Sequence, residues 1–188
     1  MRNTTSRVVA GLILALGVTT TIQAGTEGDV KRGFEISPVP LDLKGKNREL
    51  VGAGSYIVNA QSGCGDCHTT PGFAAGGDPF AGQPKQVNAS RYLAGGRFFG
   101  PAAYPNGLNG CIIARNLTPQ DGKPAGLTAA QFVHVMRTGQ DPHDTNVPPR
   151  LLRIMPWPTH KDMTDRDLLA VYEYLRAIPS IPGIAQCP

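Results

Sequence analysis

One run of five residues constrains this chain more than any other: Cys64-Gly65-Asp66-Cys67-His68. Two thiols three positions apart, followed directly by an imidazole, spell C-x-x-C-H, the attachment signal of a c-type haem. In that chemistry each thiol adds across a vinyl group and the imidazole lies beneath the iron, so every defining position has a task. Three other readings compete: a thioredoxin-like redox pair, half of a zinc site, and chance. A thioredoxin-like pair opens a helix within a strand-rich pattern, whereas this one follows a helical pattern. A zinc site needs further ligands, and the remaining cysteines, Cys111 and Cys187, are isolated.

Composition agrees with a prosthetic group in the core. Aromatic residues make up only 6% of 188 residues, few for an interior filled by side chains alone, while 23 Gly and 17 Pro imply long loops. The formal charge of +4 is not gathered into any Lys/Arg run, which argues against nucleic-acid binding. Residues 1–24 read as a secretory signal: Arg2 and Arg7, an apolar stretch Val8 to Val18, then Ile22-Gln23-Ala24. Those 11 apolar residues fall short of the ~20 that span a bilayer. The expectation is an exported, periplasmic protein that does not span the membrane once processed, attached to it at most through a complex, where disulfides persist.

The rest divides into an extended arm, residues 25–48, containing Pro38 and Pro40, and one domain, residues 49–188. From Glu49 to about Gly63, Leu50, Val51, Gly54, Ile57 and Val58 recur at helical spacing. Residues 69–127, with Gly or Pro at 18 of 59 positions, read as a long ordered loop with a short hairpin, of a kind that is functional or wraps something. Thr128 with Gln131 forms a capping box for a helix to Gly139, and Thr164 caps a last helix that Pro179 stops.

His68 supplies one axial bond, and the opposite side of the iron needs another donor. Met155, Met163, Met136 and His160 come first, with His134 and His143 behind them. Met155 is preferred because it lies in Arg153-Ile154-Met155-Pro156-Trp157-Pro158, where proline stiffens the backbone that presents the thioether. Arg97, Arg115 and the indole N–H of Trp157 are candidate donors to anionic haem propionates. Cys111 and Cys187 are expected to pair as a disulfide, and Tyr104 and Tyr172 to be packing residues.

A helix ending in CGDCH, a Met-Pro pair in a loop and the terminal helix DRDLLAVYEYLRAIP together resemble a class I cytochrome c. The segments ARNLTPQDGKPAGLTAAQFVHVMRTGQDP and IMPWPTHKDMTDRDLLAVYEYLRAIP are similar to the haem modules of cytochrome subunits in membrane-associated periplasmic alcohol, aldehyde and gluconate dehydrogenases. Those subunits generally carry several C-x-x-C-H motifs; this chain has one, over a resemblance from about residue 50 to 180. The resemblance implies an all-α, cytochrome c-like fold with long Gly/Pro-rich loops around one covalent haem c. It also implies thioether links to Cys64 and Cys67, an axial pair His68/Met155, and Gly54 and Tyr56 crossing the Tyr172 face of the last helix. The expected function is single-electron transfer between a dehydrogenase or bc1 complex and a terminal oxidase or other acceptor, without catalysis of its own. The alternatives are a haem enzyme or gas-binding protein with an open sixth position, and a fixed haem subunit of a larger respiratory complex.

Overall fold

A computed structural model describes residues 26–103, 109–145, 147 and 149–184. The leader expected at residues 1–24, Tyr104 and Cys187 lie outside the described residues. No helix among the described residues is long and apolar enough to cross a membrane.

The architecture is mainly helical, as expected, but not purely so: two small antiparallel sheets of two strands each accompany the helices. The first departure comes at once. Residues 25–48 are not simply an extended arm, because Glu27–Ile36 forms helix α1. Its capping box is local: Thr26 Oγ1 accepts from Asp29 N and Asp29 Oδ2 accepts from Thr26 N. Only the part after α1 runs extended over the core, burying Val39 and donating from Asp42 N to Ala177 O.

Helix α2 (Arg48–Tyr56) is capped by Asn47, whose Oδ1 accepts from Leu50 N. It packs against α1 at Gly33 and Gly52, where main chain meets main chain. It then loosens into a π-helical turn, Ile57–Gln61, closed by Ser62 N donating to Ile57 O. Asn59 supplies a reason: its side-chain amide donates to Ser55 O at 2.9 Å, competing for the carbonyl an α-helical ladder uses there. The same amide reaches Tyr174 Oη, and Tyr92 Oη donates to Asn59 Oδ1 at 2.6 Å. Together with Ser55 and Ser37 these groups form a satisfied polar network inside the core.

The short helix α3 (Cys64–His68) follows Gly63, whose φ of 57° turns the chain left-handed between the two helices. The long loop is ordered as expected. It contains two 3-10 turns, a hairpin of β1 (Phe98–Ala103) with β2 (Asn109–Ile113), and a two-residue pairing of β3 (Pro119–Gln120) with β4 (Lys123–Pro124).

Helix α4 (Ala129–Thr138) carries the Thr128/Gln131 capping box and ends on left-handed Gly139. One turn, α5 (Trp157–His160), precedes α6 (Asp165–Ala177), where Thr164 accepts from Asp167 N. Helix α6 crosses α2 at Gly54, but the facing residues are Ala170 and Tyr174, not Tyr172. Tyr172 instead donates to Leu127 O and packs on Phe132, while Tyr56 lines a smaller cavity. The buried core is centred on Val51, Val58, Tyr92, Leu93, Leu168, Tyr174 and Leu175.

Candidate functional site

Positions 67 and 68 each lie about one turn past position 64 on α3, so Cys67 and His68 both neighbour Cys64 along the helix. All three form part of the wall of a cavity of about 940 Å³, near the upper end of the range for small-molecule and cofactor sites. The rest of the wall is largely apolar. Val58 comes from the π turn, Leu127 and Phe132 from the start of α4 and the chain before it, Val171 and Leu175 from α6, and Ile112 and Ile113 from β2.

His68 is fixed by its far nitrogen. Nδ1 lies 2.7 Å from the backbone oxygen of Arg115, and since a carbonyl only accepts, Nδ1 carries the proton. The lone pair is thereby left on Nε2, the arrangement found at metal-bound histidines. Burial pushes the imidazole below its usual pKa, outweighing the opposing effect of the Arg115 hydrogen bond, so the neutral form is favoured. The backbone is held as well, because Gly95 N donates to His68 O at 2.7 Å.

Cys64 and Cys67 are free thiols, not joined to each other. Burial pushes the Cys64 thiol up to about 12. A nucleophilic redox cysteine needs the opposite shift, so Cys64 is not poised as one. Among the described residues no group of three or more His, Cys, Asp or Glu side chains is placed to hold a metal ion. Cys111 is disulfide-bonded; Cys187, its expected partner, lies outside the described residues.

Of the candidate axial donors, Met155, Met136 and His160 line the cavity with His68. Met155 is half-buried against the core, in the segment that Pro156 stiffens. His160 also lines the cavity, and its Nδ1 is buried without a hydrogen-bond partner. Met163 faces the smaller cavity of about 530 Å³, and His134 is exposed on α4. His143 is bound to the Arg115 guanidinium.

The three expected anion donors fare differently. Arg115 lines the cavity, but Nη1 is paired to Asp141 at 2.6 Å and Nη2 donates to His143 Nδ1 at 2.8 Å. Arg97 is exposed and contributes its carbonyl to Ala114 N instead of its guanidinium to the cavity. The Trp157 indole N–H donates to Leu152 O, and its ring covers Gly139, so it is not a cavity donor.

Sequence reasoning missed three contributors. The Arg115 carbonyl has no residue signature, Asp141 sits in an ordinary Gln-Asp-Pro loop, and Gly95 was one glycine among many. The Gly95-Gly96 pair was the available signal, since both adopt positive φ. In comparisons with known proteins, no family model, curated protein or solved structure matches this chain.

Proposed function

We propose that this protein is a periplasmic monohaem c-type cytochrome that carries single electrons between a dehydrogenase or bc1-type donor and an oxidase or other acceptor. One observation carries the reading. Cys64, Cys67, a neutral His68 with Nε2 left as acceptor, and Met155 all line one predominantly apolar cavity. The donor set fits a covalently held haem: two unoxidised thiols, one oriented imidazole, and a thioether on a proline-stiffened segment.

In this reading Cys64 and Cys67 would hold the group through thioether bonds, and His68 and Met155 would bind its iron. Bound there, a haem supplies a one-electron Fe(III)/Fe(II) couple, whose potential thioether ligation raises. The chain's own residues do the rest. The apolar walls exclude water, the Arg115 carbonyl orients the His68 ring, and the exposed apolar side chains Ile154 and Ile184 on the cavity lining offer a partner a small, easily released contact.

A second reading, with imidazole in place of thioether, has one observation in its favour: the unpartnered Nδ1 of His160 on the same lining. The test is haem staining after denaturation, then ferric and ferrous spectra with CO added to wild type, Met155→Ala and His160→Ala. Pigment that survives denaturation, CO refusal by wild type and CO binding by Met155→Ala are expected. CO binding gained only in His160→Ala selects the second reading, and CO binding by wild type refutes six-coordinate electron transfer.

A further inference from the structure

We propose that Asp141 is a positioning residue for His68, acting through Arg115. It deepens the haem reading and rests on it for the redox consequence, but not for the hydrogen bond itself. Arg115 is gripped at both ends. Its guanidinium is held by Asp141 Oδ2 at 2.6 Å and by His143 Nδ1 at 2.8 Å, while its carbonyl receives the His68 Nδ1 proton at 2.7 Å. A guanidinium stays protonated, so His143 Nδ1 is the acceptor in that contact. Asp141 is itself fixed, because Oδ1 accepts from His143 N at 2.9 Å.

The main chain of residues 114–116 is backed by Gly95. A Cβ there would stand 2.5 Å from Ala114 O and 2.6 Å from Arg115 C, so the two strands of chain touch with no side chain between them. Gly96 N adds a bond to Ala114 O. That contact restrains one side of the Arg115 peptide; the Asp141 ion pair restrains its side chain and with it the direction of the carbonyl.

Asp141 also connects two parts of the cavity wall. It lies just past α4, on the chain that pairs Gln140 with Leu151 and continues to Met155. One ion pair therefore ties the wall that orients His68 to the loop that carries Met155. Partners that hold the distal nitrogen of a metal-binding histidine set its basicity and orientation, and their loss typically costs 10- to 100-fold in metal affinity or activity.

The test compares Asp141→Asn, Asp141→Glu and Asp144→Asn in the full chain as purified. Asp144 is on the same loop and carries the same charge, but its carboxylate binds Arg150. Two quantities are read: solvent exchange of the His68 Nδ1 proton by NMR, and the reduction potential. Asp141→Asn is expected to speed exchange about tenfold and raise the potential, with Asp141→Glu restoring most of both and Asp144→Asn moving exchange little. Exchange in Asp141→Asn within about twofold of wild type, or an equal acceleration in Asp144→Asn, overturns the proposal. If the purified chain carries no covalent pigment, the haem reading and the potential measurement fall together, while the His68 exchange rates still decide the positioning role.

Discussion

Gly54 gives the sharpest quantitative prediction. An ideal Cβ at this position would lie 1.9 Å from Ala170 O and 2.4 Å from Ala170 C, both main-chain atoms of α6. Reaching even 3.0 Å requires the two helices to part by about 1.1 Å, because a carbonyl within a helix cannot swing aside as a side chain can. Forced overpacking costs about 1–3 kcal/mol, and a backbone obstacle puts Gly54→Ala at the upper end, about 3 kcal/mol. The better helix propensity of alanine returns about 1 kcal/mol, leaving a net loss of about 2 kcal/mol. For a chain of this size that lowers Tm by about 4–8 °C. Gly28→Ala is the matched control: the added Cβ would sit 3.5 Å from Thr26 Oγ1, an ordinary contact. There only the propensity gain applies, a stabilisation of about 0.5–1 kcal/mol. Thermal and urea melts followed by far-UV circular dichroism measure both. A Gly54→Ala protein melting within about 2 °C of wild type would refute the backbone-contact account of the α2–α6 crossing.

The remaining predictions address the network, one imidazole and the thiols. Asn59→Ala removes the acceptor of Tyr92 Oη, leaving that hydroxyl to its contact with Tyr174 Oη, and removes the donor to Ser55 O, so urea denaturation should show a loss of about 1–3 kcal/mol. Burial holds His160 below the ordinary imidazole value, so the unfolded chain takes up a proton near pH 6.5 that the folded chain refuses. Stability should therefore fall as pH drops below about 6.5, as read by urea midpoints of wild type against His160→Ala from pH 7.5 to 5; identical profiles contradict the burial of that ring. On the proposed function, Cys64→Ala/Cys67→Ala should carry no covalent pigment and lose near-UV circular dichroism while keeping far-UV signal. A native near-UV spectrum from that pigment-free variant would count against a core organised by the cofactor.

What was legible in the sequence was what short-range chemistry encodes. The Thr128/Gln131 box and the Thr164 cap each close within one turn, and both helices begin where those residues place them. Cys64, Cys67 and His68 were readable because their juxtaposition is covalent neighbourhood, and Met155 because flanking prolines mark a stiff segment. Helix α1 was not legible: Gly28 and Gly33 lower its propensity, and Gly33 makes sense only once Gly52 is packed against it. The π turn depends on Asn59 finding Tyr92 and Tyr174, 33 and 115 positions away. The place of Trp157 was not legible either, because nothing local announces that Gly139 provides the recess its indole fills.

The cavity persists because of how its walls are framed. Inward collapse is opposed by the frame: α2 and α6 already meet backbone to backbone at Gly54 and Ala170 and cannot approach further there. The residues that would otherwise close a core, Val58, Leu127, Phe132 and Leu175, stand on the cavity wall and belong to the core cluster at once. A reversible occupant would stabilise this frame only with the logarithm of its free concentration relative to its dissociation constant. On the proposed function, attachment through Cys64 and Cys67 would remove that dependence, because a group bonded to the chain would stay with it through unfolding and need not be recaptured when α2, α3 and α6 reassemble around it.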